Sequence, residues 1–190
     1  SGKTTLARLI GGSLTALEGT INVMGRPVGH GDFPTDAAAD GRPRLLVCTQ
    51  EAHVFFGTLA DNFTVVVPDA TVEQMGEALD AIGARWWRDL PQGIDTVVSG
   101  ADSPLTRDQI QQLALARIVL ADPHAVILDE STTQLELADA TESLSAVLAN
   151  RAVLIISHDA RIASLADRAV LLHEGRIIAE GSPAEIFALT

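Results

Sequence analysis

At 190 residues, 47% of them hydrophobic and 20% charged, the chain can bury the core of one globular domain and is too apolar to be disordered. Its formal net charge of −12, with few and scattered Lys and Arg, excludes a nucleic-acid surface built on a basic stripe. No apolar run approaches the roughly 18 residues that cross a bilayer, no signal peptide is visible, and the single Cys48, with no internal disulfide partner, fits a reducing compartment.

The chain opens on Ser1-Gly2-Lys3-Thr4-Thr5, the end of the phosphate-binding pattern G-x-x-x-x-G-K-[ST]. In that pattern backbone N–H groups wrap phosphates, the lysine adds positive charge, and the hydroxyl residue holds Mg²⁺. Leu6, Leu9 and Ile10 are spaced for the buried face of a helix whose positive end points at the anion. Gly11-Gly12-Ser13 stops that helix, residues 19–25 alternate as a short strand between glycines, and residues 27–43 read as loop. Residues 44–49 form a buried strand that ends at Gln50. Helix then dominates. Thr71 and Gln74 make a capping box, Val72, Met75, Leu79 and Ile82 mark one face, and Gly83 ends the turn. Trp86 and Trp87 are expected to pack a small helical subdomain.

Residues 104–133 are the stretch around which the chain is organised. A polar loop leads into an amphipathic helix with Ile110, Leu113, Ala114 and Ile118 on one face; an Ala-Asp-Pro turn follows. Residues 125–128 are unbroken apolar, as in a strand covered on both sides, and deliver Asp129 and Glu130 at its carboxyl end. Open α/β sheets bind ligands there. Such a strand end is by itself no more than a solvated terminus; with the phosphate-loop residues upstream it is the second half of an ATP–Mg²⁺ site. A helix over 138–149 and a strand over 152–156 come next, the latter ending in Ser157-His158-Asp159. Chain neighbours cannot form a hydrolase relay, so that trio is not a triad. Two strands turn around Glu174-Gly175, and Ser182-Pro183-Ala184-Glu185 starts a last helix. Alternating strands and helices predict an α/β fold with a mostly parallel sheet.

In this order, the SGKTT run, the strand ending in Gln50, the Leu113 to Arg117 segment (LALAR), the AVILDE strand and the strand ending near His158 resemble the nucleotide-binding domain of an ABC transporter over essentially the whole chain. The Phe55-Phe56-Gly57-Thr58-Leu59 run with Asn62, and Leu90-Pro91-Gln92-Gly93-Ile94-Asp95-Thr96, resemble the exporter branch. The resemblance implies a P-loop NTPase (RecA-like) sheet with helices on both faces plus a helical subdomain. Its parts would be 1–55 and 122–190 as core, with 56–121 as the subdomain carrying the signature loop. It also implies roles. Ser1, Gly2, Lys3, Thr4 and Thr5 would hold the phosphates of ATP; Thr4, Gln50 and Asp129 would bind Mg²⁺; Glu130 would be the general base; Gln50 and His158 would attend the γ-phosphate. Thr106 and Gln109 would present nucleotide contacts to a second domain. The implied partners are a transmembrane domain, on the same or a partner chain, and a second, non-identical ABC ATP-binding domain, on the cytoplasmic side of the cell membrane; nucleic acid is not among them.

Three segments depart from the family pattern. Where it has L-S-G-G-Q, the chain reads Leu105-Thr106-Arg107-Asp108-Gln109. Both glycines that let backbone approach a phosphate are gone. Asp108 at about 4 Å from a phosphate charge would cost up to about 4 kcal/mol per unit-charge pair at an effective dielectric near 20. The S-A-L-D loop aligns with Thr133-Gln134-Leu135-Glu136, and the segment before the signature reads Ser99-Gly100-Ala101-Asp102. Intact cis parts with altered partner-facing parts suggest one half of an asymmetric exporter pair. The leading part of the phosphate loop and an adenine-stacking aromatic are expected upstream of Ser1. The alternatives are an ATP-binding clamp with little hydrolysis and a non-transport ABC ATPase.

Overall fold

The computed structural model describes residues 2–28, 36–49, 52–99, 103–130 and 137–189, the side chains of 137–142 excepted. In chain order the elements are α1 (Lys3–Ile10), β1 (Asn22–Val23), β2 (Arg26–Pro27), β3 (Leu45–Cys48), α2 (Asp61–Thr64), α3 (Val72–Ala81), α4 (Arg107–Ala121), β4 (Ala125–Asp129), α5 (Leu137–Leu148), β5 (Ala152–Ile156), α6 (Ala160–Ala163), β6 (Ala169–His173), β7 (Arg176–Gly181) and α7 (Pro183–Phe187). Two 3₁₀ turns, Arg85–Asp89 and Gly93–Asp95, connect α3 to α4. No helix among the described residues is long and apolar enough to cross a membrane.

Strands β3, β4 and β5 form a parallel sheet in that order, with Leu45 opposite Ala125 and Asp129 opposite Ile156. Successive side chains point to opposite faces, so the apolar runs must be covered on both. On one face Ala7 of α1 meets Leu45, Ile127 and Ile156. On the other Val126 and Leu128 join a larger cluster with Leu113, Leu115, Leu144 and Val147 from α4 and α5. That cluster extends to Met75, Leu79 and Ile82 of the α3 segment and to Phe63 of α2. Beside the sheet, β1–β2 and β6–β7 are antiparallel hairpins whose turns place Met24-Gly25 and Glu174-Gly175 at positive φ.

Local chemistry accounts for the ends of the helices. Thr71 with Gln74, Thr106 with Gln109 and Ser182 with Glu185 each close a reciprocal capping box, and Pro183 occupies the first turn of α7. Gly11 and Gly12 end α1, their N–H groups donating to the Ala7 and Leu9 carbonyls respectively.

Five expectations change. In α1 it is Ala7 that is buried, whereas Leu6 is exposed, because the small residue lets the helix lie close on the sheet. Val72 of α3 is exposed while Met75, Leu79 and Ile82 are buried. Helix α4 is not amphipathic: Gln111, Gln112 and Arg117 are buried with Leu113, Leu115 and Ile118, since α3, α5 and β3 all pack on it. The strand expected over 19–25 shrinks to Asn22–Val23, and 27–43, expected as loop, begins with the end of β2 and carries an Ala37–Pro43 bridge.

Candidate functional site

The carboxyl ends of β4 and β5 set the site. Alternation gives Asp129 the same facing as Ile127, which packs beneath α1, so the Asp129 carboxylate belongs to the α1 face of the sheet. Asp129 is 7% exposed, and its Oδ1 is buried with no hydrogen-bond partner among the described residues. A buried carboxylate oxygen left unpaired is costly, and a hard cation is the partner that would satisfy it. The donor set thus fits Mg²⁺.

Glu130 follows in a left-handed conformation, φ 50°, and its N–H donates to the Ile156 carbonyl at 2.9 Å. This backbone turn swings the Glu130 side chain out of the strand, where its Oε1 lies 3.5 Å from Nδ1 of His158. His158 sits two residues past β5 and its side chain is 72% exposed, against 29% for Glu130, so the imidazole is reachable by a solute. Next to it Asp159 caps α6, accepting from the Arg161 N–H at 2.9 Å and pairing with the Arg161 guanidinium at 2.6 Å. Those bonds hold the Asp159 carboxyl down at about 2. The cap fixes the chain immediately after His158.

Lys3, Thr4 and Thr5 form the first turn of α1, which packs against β4. Lys3 is half-buried; the two threonines are exposed. Gly2, the residue before the helix, has φ 92°, a conformation that disfavours any side chain. A Cβ there would also stand 3.6 Å from the Gly175 Cα, so the β6–β7 turn lies against Gly2 at the start of α1. Backbone N–H groups and the positive end of α1 are thus on the face of the sheet that carries Asp129. Ser1 and Gln50 lie outside the described residues, as do Gly100 to Asp102 and Thr133 to Glu136.

Thr106 and Gln109 belong to a separate element, the start of α4, and are bonded to each other. The Thr106 N–H donates to Gln109 Oε1 at 2.8 Å, and the Gln109 N–H to the Thr106 hydroxyl at 3.3 Å. Arg107 and Asp108 are exposed in the same turn. Asp108 favours the helix dipole in this position and opposes any phosphate brought to it.

Two buried polar residues carry weight that the sequence pattern did not assign. Asn62 (0% exposed) and Arg117 (6%) join the 52–58 loop to α4. The cue was a lone arginine inside the apolar LALAR run of a helix.

Residues 1–133 match the family described as ABC transporter. The chain is 36% identical over 193 residues to the multidrug efflux ATP-binding/permease protein of Mycobacterium bovis, covering 99% of this chain and 16% of that protein. It is also 36% identical over 193 residues to the mycobactin import ATP-binding/permease protein IrtA of Mycobacterium tuberculosis, covering 99% of this chain and 22% of IrtA. A solved structure of a bacterial Atm1-family ABC exporter with ATP bound superposes with a TM-score of 0.83 at 24% identity, over 99% of this chain and 33% of that one, and shows the same fold. The chain therefore spans a third or less of these relatives' own length.

Proposed function

Because the chain belongs to the ABC transporter family as its ATP-binding, ATPase-type domain, we propose that it drives an exporter by hydrolysing ATP as one half of an asymmetric pair. The observation that carries hydrolysis is the Glu130–His158 contact at 3.5 Å, at the carboxyl ends of neighbouring parallel strands and beside the unpaired Asp129 oxygen.

The Glu130 carboxylate takes a proton from a water whose oxygen forms the new bond to the γ-phosphorus, while the bond from that phosphorus to the β–γ bridging oxygen breaks and ADP leaves. His158 donates a hydrogen bond to the γ-phosphate oxygens as their charge shifts, and Lys3 lies against the β- and γ-phosphates. Gly2 and the first turn of α1, with Ser1 and Thr5, cradle the phosphate chain through backbone N–H groups. Asp129, Thr4 and Gln50 would hold Mg²⁺, which when bound neutralises phosphate charge.

Asymmetry rests on α4. Its capping box satisfies Thr106 and Gln109 within the chain, and Asp108 presents negative charge where the family pattern has glycine. The partner would be a second, non-identical ATP-binding domain with an intact signature loop, both working on a transmembrane domain at the cytoplasmic membrane face. Relatives named for efflux and for import both match, so direction rests on the exporter-like runs around Phe55 and Leu90.

The test is ATP turnover of the full polypeptide. Glu130→Gln should retain ATP binding and lose hydrolysis by about 100-fold or more; near-normal turnover would refute the base. Self-paired protein should turn over slowly and gain on Asp108→Gly. Brisk turnover with no gain would refute asymmetry and leave the ATPase reading standing.

A further inference from the structure

Arg117 lies in the last third of α4, almost wholly out of solvent, yet its hydrogen bonds go to neutral oxygens of the 52–58 loop and of Asn62 in the short helix α2 that follows it, far away in sequence. Its Nε donates to the Asn62 carbonyl at 2.8 Å, Nη1 to the His53 carbonyl at 2.6 Å, and Nη2 to Asn62 Oδ1. The Phe55 ring lies 4.9 Å from the guanidinium carbon. Asn62 then fastens the loop from within: its Nδ2 donates to the Phe55 and Thr58 carbonyls at 3.1 and 2.8 Å, and its Oδ1 accepts the Phe55 N–H at 2.8 Å. Burial pulls the guanidinium down to about 10, the direction expected where desolvation outweighs attraction.

The loop so held has an outward side of a different character. Phe56 is 92% exposed, and Gly57 stands at φ 125° where a Cβ would overlap the Asp61 carboxylate. An exposed aromatic on a tightly bonded loop is a handle, and the buried charge is its anchor in the helix. A buried guanidinium cannot leave its acceptors without being stranded unsolvated, so displacing the loop must displace α4 with it.

We infer that Arg117 is a positioning residue that locks the 52–58 loop to α4, so that the Phe56 handle and the 105–109 segment at the start of α4 move as one body and together set the rate of ATP turnover. The inference rests on the ATPase reading above. Neither Arg117 nor Asn62 touches nucleotide in it; both act through the elements they join.

The experiment compares Arg117→Met and Arg117→Lys with the parent in the full polypeptide, reading amide hydrogen exchange at 53–58 and 106–110 together with kcat and KM for ATP. Arg117→Met should speed exchange at both segments by about tenfold and lower kcat by about tenfold with KM nearly constant. Arg117→Lys, which keeps the charge but not the fork, should fall between parent and Arg117→Met in every readout. Faster exchange at 53–58 with none at 106–110 would overturn the lock, as would unchanged kcat or a change confined to KM. If Arg117→Met does not fold, Arg117→Lys carries the same comparison. A parent that hydrolyses no ATP would refute the function, while the exchange arm still decides whether loop and helix are joined.

Discussion

At the amino ends of β3, β4 and β5 the Asp122 carboxylate is bridged by Arg42 at 3.1 Å and Arg151 at 2.7 Å, and His124 lies 2.9 Å from Asp40. At the carboxyl ends of the same strands Asp129 keeps a buried oxygen without a partner among the described residues, and Glu130 faces His158 at 3.5 Å. The sheet thus carries charge at both ends: the amino end pairs its acids with arginine and histidine, although Nε of Arg44 and of Arg151 stays buried without a partner among the described residues, whereas at the carboxyl end it is an acid oxygen, Asp129 Oδ1, that has none. Arg151 adds bonds to the Ala146 and Val147 carbonyls that close the end of α5, and Arg42 reaches the Asp122 carbonyl, so the amino end is tied together as structure. The carboxyl end holds Asp129 on the end of β4 with one carboxylate oxygen lacking a partner among the described residues. A protein tolerates an unpaired buried carboxylate where a ligand completes it.

Removing a carboxylate at each end should therefore give opposite results. Asp129→Asn should reduce ATP hydrolysis by about 100-fold or more, yet leave the urea midpoint unchanged or higher, because a neutral amide replaces a buried carboxylate whose Oδ1 has no partner among the described residues. A lower midpoint would mean that Asp129 has a structural partner and would erase the contrast.

Asp122→Ala should do the reverse. It strips Arg151, whose side chain is only 6% exposed, of its carboxylate and puts alanine at φ 45°. Half-exposure of Asp122 discounts the loss, so about 2 kcal/mol of stability is expected, read from chemical denaturation, with KM for ATP unchanged. A stability change below about 0.5 kcal/mol would show that the clamp is ornamental.

The same contrast marks what could be read from the residues alone. The strands around Leu46, Val126 and Leu154 were legible because strands covered on both faces are apolar throughout, and the caps at Thr71 and Ser182 because their partners lie three residues on. The capping box at Thr106 and Gln109 has the same spacing and was open to the same reading; the family pattern drew attention to its missing glycines instead. Arg117 was legible only as part of a motif, since its acceptors His53 and Asn62 are brought to it by tertiary packing. The face of α1 was misread because a helix lying close on a sheet buries its small residue, Ala7, and leaves Leu6 outside. The Glu130–His158 approach follows from parallel pairing of β4 with β5, for which order of strands in the sheet, not any local signal, is required.

Two carboxylates at opposite ends offer a finer discrimination. Asp159, beyond β5, and Asp40, before β3, both titrate below the ordinary carboxylate value, so each contributes stability that is present above pH 3.8 and fades as pH falls through its lowered folded value. For Asp159 the leading cause is the Arg161 side chain, itself well exposed, and the fade extends to about pH 2. For Asp40 the leading cause is the Arg42 backbone N–H at 3.1 Å, with His124 second. Salt screens an exposed ion pair but hardly touches a backbone hydrogen bond. Carboxyl titration by NMR should therefore find Asp159 moving toward its ordinary value in about 1 M salt while Asp40 moves less. Arg161→Gln should reproduce the salt effect on Asp159 at low ionic strength. If Asp40 moved as far as Asp159, the His124 charge would be its real support, and the amino end would be held by the same screened electrostatics as the cap after His158.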